Sequence, residues 1–270
     1  MSRPLILVCN DDGVQAPGIA RLSEALEQVG DVWIVAPDRE RSAASHAITL
    51  DRPLRVANVR PQCFAVSGSP ADAVYLALLR LLPDQPKLVV SGINNGFNLG
   101  TDVFYSGTVA AAAEGALRGV PSVAISVEWQ ESPDFSWAAA FAAELARGVI
   151  ARGLPPRTLL NVNVGACRPH GWAWTRLGRR IYRDQVEERT DLRGKTYYWI
   201  GGPAIATFDE PGTDCEAVQR GLASVTPLEL DLTSRTFEKF LEEWPSQENI
   251  PSKEMRQGQE IWEPRRQRGT

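Results

Sequence analysis

The run Leu5-Ile6-Leu7-Val8-Cys9 is apolar throughout and stops abruptly at Asn10-Asp11-Asp12-Gly13. Five apolar residues bounded by turn formers read as a strand buried on both faces. Ile19, Leu22, Leu26 and Val29 then recur at helical spacing, Gly30 supplies a stop, and Val32-Trp33-Ile34-Val35-Ala36 forms a second apolar run. Strand, helix and strand at this spacing make a βαβ unit, which commits the chain to an α/β fold with a mostly parallel sheet. Open sheets of this kind bind ligands beyond the carboxyl ends of their strands. Asp11 and Asp12 fall at such an end. No G-x-G-x-x-G follows the first strand, so the dinucleotide fingerprint is absent.

Two adjacent carboxylates at a strand tip repel one another and lose solvation, and a cation resolves both problems. A hard divalent ion such as Mg²⁺ or Mn²⁺ takes oxygen ligands and often works beside a phosphate. Asp and Asn are also ordinary turn and N-cap residues, so the pair alone leaves a structural reading open. Only two histidines, His46 and His170, are present, too few for a histidine-rich metal site. Oxygen ligands remain. One further source is Ser91-Gly92-Ile93-Asn94-Asn95-Gly96-Phe97-Asn98-Leu99-Gly100, a predicted loop after the apolar run Lys87–Val90. Its asparagines offer neutral oxygens, or serve as left-handed turn residues. Farther on, Tyr105-Ser106-Gly107-Thr108-Val109 opens a helix of four consecutive alanines, Ala110 to Ala113. Unpaired N–H groups at such a start favour an anion, although a plain N-cap explains the same residues. Ser69-Pro70-Ala71-Asp72 is a third helix start, well accounted for by capping. Arg39 and Glu40 follow the second strand and read as a solvated connection.

The 270 residues carry a net charge of −4, which argues against a general nucleic-acid surface. With 43% hydrophobic residues a sizeable core is available. The four cysteines are widely spaced, with no zinc pattern, and Cys9 and Cys63 sit in strand-like runs as small hydrophobes. Met1-Ser2-Arg3-Pro4 leads straight into the first strand without the layout of a secretory leader, and no apolar stretch has membrane-span length. A cytoplasmic protein with no membrane partner is the expectation. Residues 1–170 are predicted as the catalytic core, with Thr158–Val164 as its last strand. Residues 171–233, rich in Trp, Tyr, Arg and Thr, are predicted as a β-hairpin extension turning at Asp191–Gly194, whose exposed edge suits subunit pairing. Residues 234–270 are predicted as a charged, flexible tail.

Taken together, Asn10–Gly13, Ala36-Pro37-Asp38 with Arg41-Ser42, Gly68–Asp72, Ser91–Asn94 with Gly96 and Asn98, and Ser106–Val109 resemble the SurE family. Ser132–Phe135, Asn161-Val162-Asn163 and Ser224–Leu228 extend the match, in order, to about Thr233. The resemblance implies a Rossmann-like core with a smaller β-rich extension that supports homodimers or homotetramers. It implies one divalent ion, Mg or Mn, held by Asp11, Asp12, Ser42 and Asn94. It implies phosphate binding by Ser106, Gly107 and Thr108 with Asn98 close by. The implied activity is that of a 5′-nucleotidase, hydrolysing nucleoside monophosphates to nucleoside and phosphate, with 3′-nucleotides and short polyphosphate as further substrates of relatives. Asp11 and Asp12 are then the catalytic pair, with Asp12 expected to orient or deprotonate water. Two other classes stay in view: an aspartyl-phosphate enzyme with Asp11 as nucleophile, and a nucleotide-binding regulator without turnover. Asn95 and Phe97 depart from the family pattern, and the tail is longer than the family core requires.

Overall fold

The computed structural model describes residues 3–182, 185–202, 204–207 and 210–234. In chain order its regular elements are β1 (Leu5–Cys9), α1 (Pro17–Leu26), β2 (Asp31–Pro37), β3 (Val56–Arg60), β4 (Cys63–Val66), α2 (Pro70–Leu76), β5 (Leu88–Asn95) and α3 (Gly107–Leu117). There follow β6 (Ser122–Val127), α4 (Ser136–Arg152), β7 (Thr158–Val164), β8 (Trp172–Trp174), β9 (Arg180–Tyr182) and β10 (Gln185–Thr190). Last come β11 (Thr196–Gly201), β12 (Ala204–Thr207), α5 (Asp214–Gln219) and β13 (Ala223–Glu229).

A nine-stranded sheet in the order β3-β4-β2-β1-β5-β6-β7-β13-β8 forms the middle layer. From β4 to β7 every neighbouring pair is parallel. The expected α/β class is therefore what folds, and β1 is central because its residues have nothing polar to show solvent. Ile6, Leu7, Val8 and Cys9 are all fully buried. The chain leaves β1 in one direction, through α1 to β2, and returns through α2 to β5 on the other side of β1. That reversal makes the β1–β5 boundary a topological switch point, where a crevice opens above the strand ends. Helices α1 and α4 pack together on the sheet, and α2 and α3 do likewise. α3 and α4 serve successive steps in the same direction, β5 to β6 and β6 to β7, from opposite faces. The two crossovers thus have opposite hands, so one departs from the usual right-handed rule.

Three local expectations change. β5 does not end at Val90 but runs on to Asn95, with a register irregularity against β6 between Ser91 and Asn94. Such an irregularity bends the strand and re-aims its side chains, and here it turns Asn94 and Asn95 toward the β1 tip. β7 is not the last core strand, because β13 adds to it antiparallel and β8 pairs with β13. A strand β3, not foreseen, covers the outer edge of β4. The predicted hairpin is present as β10 and β11, paired antiparallel from Gln185–Gly201 to Thr190–Thr196. β9 and β12 form a separate two-stranded ribbon. Cys9 and Cys63 are buried thiols, and burial pushes both upward in pKa. No helix among the described residues is long and apolar enough to cross a membrane. Residues 231–270 form a second unit, and the tail expected from residue 235 onward lies outside the described residues.

Candidate active site

The crevice at the switch point has a volume of about 1170 Å³. Asp11 and Asp12 rise from its floor at the end of β1, Glu40 and Ser42 come from the loop after β2, and Asn94, Asn98 and Ser106 come from the segment joining β5 to α3.

The β1 tip is shaped by Asn10, a fully buried residue. Its side-chain amide donates to the Gly13 carbonyl at 3.0 Å and its side-chain oxygen accepts from the Gly13 N–H at 3.2 Å. This closes a tight turn that needs Gly13 at φ +102°, a conformation a Cβ would strain. Asp11 then points inward and is only 5% exposed. Its Oδ2 accepts the Thr108 N–H at 3.2 Å, and its Oδ1 accepts the Thr108 hydroxyl in a very short contact. A Cβ on Gly107 would lie 2.8 Å from the Asp11 Cβ and 3.0 Å from its Oδ2. Glycine at 107 is thus what lets the α3 start close on the β1 tip. Burial pushes the Asp11 carboxyl above the usual carboxylate range, against the two Thr108 hydrogen bonds that pull it down. Asp12 is pushed up to about 6, first by burial and then by the charges of Asp11 and Glu40, with the Asn95 backbone N–H opposing. Of the four carboxylates lining the crevice, Asp102 is paired with Arg180, whereas Asp11, Asp12 and Glu40 are electrostatically frustrated without a cation.

The loop after β2 is clipped on both sides. The Arg41 N–H donates to the Asp11 carbonyl at 2.7 Å, while the Ser45 N–H and hydroxyl reach the Tyr105 and Phe104 carbonyls at 3.1 and 2.6 Å. Between these clips Ala43 and Ser45 adopt φ +56° and +51°. Non-glycine residues in that region cost about 1–3 kcal/mol each and persist only where the surroundings impose them. The loop therefore holds Ser42 in the crevice. The Ser42 hydroxyl donates to Glu40 Oε1 at 2.6 Å, which leaves its oxygen lone pairs for a cation. Asn94 spends its side-chain N–H on the Gly96 carbonyl at 2.7 Å, so its side-chain oxygen is left to accept or coordinate.

Asn98 is held rigidly. Its N–H donates to Asn163 Oδ1 at 2.8 Å, its amide nitrogen to Ser126 Oγ at 2.8 Å, and its carbonyl accepts from Asn161 and Asn163. At the α3 start, Ser106 Oγ accepts the Val109 N–H at 3.1 Å, which leaves the hydroxyl proton available. The Thr108 N–H goes to Asp11, the Val109 N–H to Ser106 Oγ and the Ala110 N–H to the Ser106 carbonyl. The Gly107 N–H has no partner among the described residues.

The sequence candidates are thus distributed unevenly. Asp11, Asp12, Ser42, Asn94, Asn98 and Ser106 all line the crevice. Thr108 is fully buried and spends both donors on Asp11, so its contact is with the carboxylate. The Ser69 helix start is spent on its own capping box and on the loop, through Ala47 and Thr49. Glu40, read as a solvated connection, is indeed exposed, and it also lines the crevice and acts on both aspartates. Asp214, at the start of α5, is fully buried and accepts N–H groups from Gly100, Gly178 and Cys215 at 2.8, 2.7 and 2.8 Å. It ties the crevice-lining turn at Gly100–Phe104 to the segment before β9. Neither role has a local signal, since each depends on a partner distant in the chain.

Oxygen donors from four residues, Asp11, Asp12, Ser42 and Asn94, fit a hard divalent ion, with no cluster of three or more His, Cys, Asp or Glu close enough to hold one alone among the described residues.

The family of the survival protein SurE matches residues 6–184. A protein of Anaeromyxobacter dehalogenans named 5′-nucleotidase SurE is 53% identical over 253 residues, covering 92% of this chain and 99% of that protein. A Geobacter metallireducens protein of the same name is 51% identical, covering 88% and 96% respectively. The crystal structure of the SurE protein from Aquifex aeolicus superimposes with a TM-score of 0.78 at 40% identity, covering 89% of this chain and 99% of that one. Matched along most of its length, in sequence and in fold, this chain belongs to the SurE family.

Proposed function

We infer that this chain is a 5′-nucleotidase, a phosphomonoesterase that hydrolyses nucleoside 5′-monophosphates to nucleoside and phosphate. The observation that carries the reading is the closure of α3 on β1 through Gly107 and Thr108. It brings an acidic strand tip against a helix start with an unpartnered N–H. The names of the relatives support the same activity.

In this reading Asp11, Asp12, Ser42 and Asn94 hold one divalent ion, magnesium or manganese. When bound, that ion supplies Lewis-acid polarisation of a phosphoryl oxygen and eases water deprotonation. The Ser106 hydroxyl, the Gly107 N–H and Asn98 take the phosphate oxygens, and the α3 dipole favours the charge that grows on them. Thr108 fixes the direction of Asp11. Asp12, the less buried carboxylate, orients the attacking water and takes its proton. Covalent catalysis by Asp11 is disfavoured, because Thr108 engages both of its oxygens. The β10–β11 hairpin, with Val186, Tyr198, Trp199 and Ile200 exposed, suits pairing into a homodimer or homotetramer.

The test is a phosphate-release panel over 5′- and 3′-nucleotides and short polyphosphate, with Mg²⁺, Mn²⁺ or EDTA. The expected pattern is metal-dependent release from 5′-nucleotides, abolished in a folded Asp11→Ala variant. Full activity in EDTA sinks the metal assignment. Binding of nucleotide without any release would make the chain a regulator instead.

A further inference from the structure

Beyond the carboxylates the crevice is walled by Phe97, Tyr105, Trp129 and Ile200. Tyr105 and Ile200 are exposed there as well, at 69% and 87%, and Trp129 carries the largest ring among them. Its indole is 67% exposed although it lines the crevice, and it has no ring or cation partner among the described residues. Trp33, Trp137, Trp172 and Trp174, by contrast, each pack against an aromatic ring or an arginine.

An exposed aromatic ring is ordinary on a mobile loop. Here the backbone on both sides of the ring is pinned. Before it, the Glu128 N–H donates to the Val164 carbonyl at 2.9 Å, and the Glu128 carboxylate accepts the Ala166 N–H at 3.0 Å. After it, Gln130 and Asn95 form a reciprocal pair: the Asn95 side-chain N–H donates to the Gln130 carbonyl at 2.9 Å, and the Gln130 N–H donates to Asn95 Oδ1 at 3.1 Å. Asn95 also presents its backbone N–H to Asp12. A single residue thus couples the acidic strand tip to the segment that carries the indole. The segment that carries this large flat ring is thus fixed at the rim of the crevice.

We propose that Trp129 is the stacking platform for the nucleobase and so selects nucleotides over other phosphomonoesters. This rests on the nucleotidase reading above and deepens it. An indole face stacks on any base, because every base has a π-face, so the selection is for the presence of a base rather than its identity. Preordering of the loop keeps the entropic cost of stacking low.

The experiment compares wild type, Trp129→Ala and Trp129→Phe on AMP and on ribose 5-phosphate with Mn²⁺, and measures adenosine binding by calorimetry. Trp129→Ala is expected to lower kcat/KM for AMP about 5- to 150-fold, the range that base–aromatic stacking spans. Ribose 5-phosphate turnover should stay within about twofold, and Trp129→Phe should recover most of the AMP activity. An equal fall on both substrates, or no fall on AMP, overturns the proposal. If wild type releases phosphate from neither substrate, the nucleotidase reading fails, and adenosine binding then judges Trp129 alone. Weaker adenosine binding in Trp129→Ala supports the platform, and unchanged binding overturns it.

Discussion

Thr108→Val replaces the hydroxyl that Asp11 depends on with a methyl of nearly the same size. The contact is buried on both sides, and its partner is a carboxylate. Hydrogen bonds to charged groups contribute about 1.5–3 kcal/mol, and the group left behind also keeps its desolvation cost. The Thr108 N–H still serves Oδ2, so the loss is one donor of two. About 1.5–3 kcal/mol of destabilisation is therefore expected at pH 7, or roughly 3–12 °C in Tm for a domain of this size. The pH dependence has a definite sign. The Asp11 carboxyl is already raised in the folded state, so its charged form destabilises the fold. That penalty is absent below the unfolded carboxylate pKa of about 3.9 and develops as pH rises through the folded value. Losing a donor enlarges it, so the gap between wild type and Thr108→Val should open with rising pH and narrow in acid. Thermal melts of metal-free protein from pH 4 to pH 8 measure this, with Thr108→Ser as a control that keeps the hydroxyl. If Thr108 instead held phosphate directly, the Val variant would melt like wild type and show only a raised KM. That result, or a Ser variant as damaged as the Val variant, would refute the reasoning.

Gly107→Ala drives a Cβ to within 2.8 Å of the Asp11 Cβ, so the carboxylate must shift. A displacement of that order should lower kcat by about 100-fold in steady-state assays while the protein stays folded. Glu114, buried on α3, accepts Arg118 Nε at 2.6 Å and pairs with His46 at 3.0 Å, and these partners hold its carboxyl below the usual range despite the opposing effect of burial. Glu114→Gln should cost about 1–3 kcal/mol by urea denaturation at pH 7. Because the folded pKa is depressed, that contribution exists above the unfolded value of about 4.3 and disappears as pH falls through the folded one, so the two proteins should converge in acid. Asp214→Asn replaces one acceptor oxygen with an N–H₂ that faces backbone N–H groups. It should destabilise by about 3 kcal/mol and raise the KM for nucleotide by loosening the Gly100–Phe104 turn, both measurable on the same preparation.

Much of the fold could be read from short stretches of chain. A run such as Leu5–Cys9 has no polar residue to place on a solvent face, so it can only be a strand covered on both sides. The Ser106 and Ser69 helix starts were equally legible, because an N-cap and the N–H groups it satisfies lie within three residues. The extension of β5 was hidden because Ser91-Gly92-Ile93-Asn94-Asn95 has loop composition. It stays in the sheet only because β6 runs beside it to Val127. The placement of β13 next to β7 was hidden for the same reason, since pairing is a property of two segments.

Sequence alone determined that a parallel sheet forms with a pair of acids at the tip of its first strand. Periodicity and turn chemistry act over a few residues, and any fold of this chain must satisfy them. Tertiary structure decided what those acids face. Thr108 meets Asp11 across 97 residues, Gly100 meets Asp214 across 114, and Asn95 meets Gln130 across 35. Contacts over such separations depend on how helices and strands pack in space, and no local spacing records them. The strand tip is written in the residues themselves, whereas the electrostatics of the crevice exist only once the chain has closed around it.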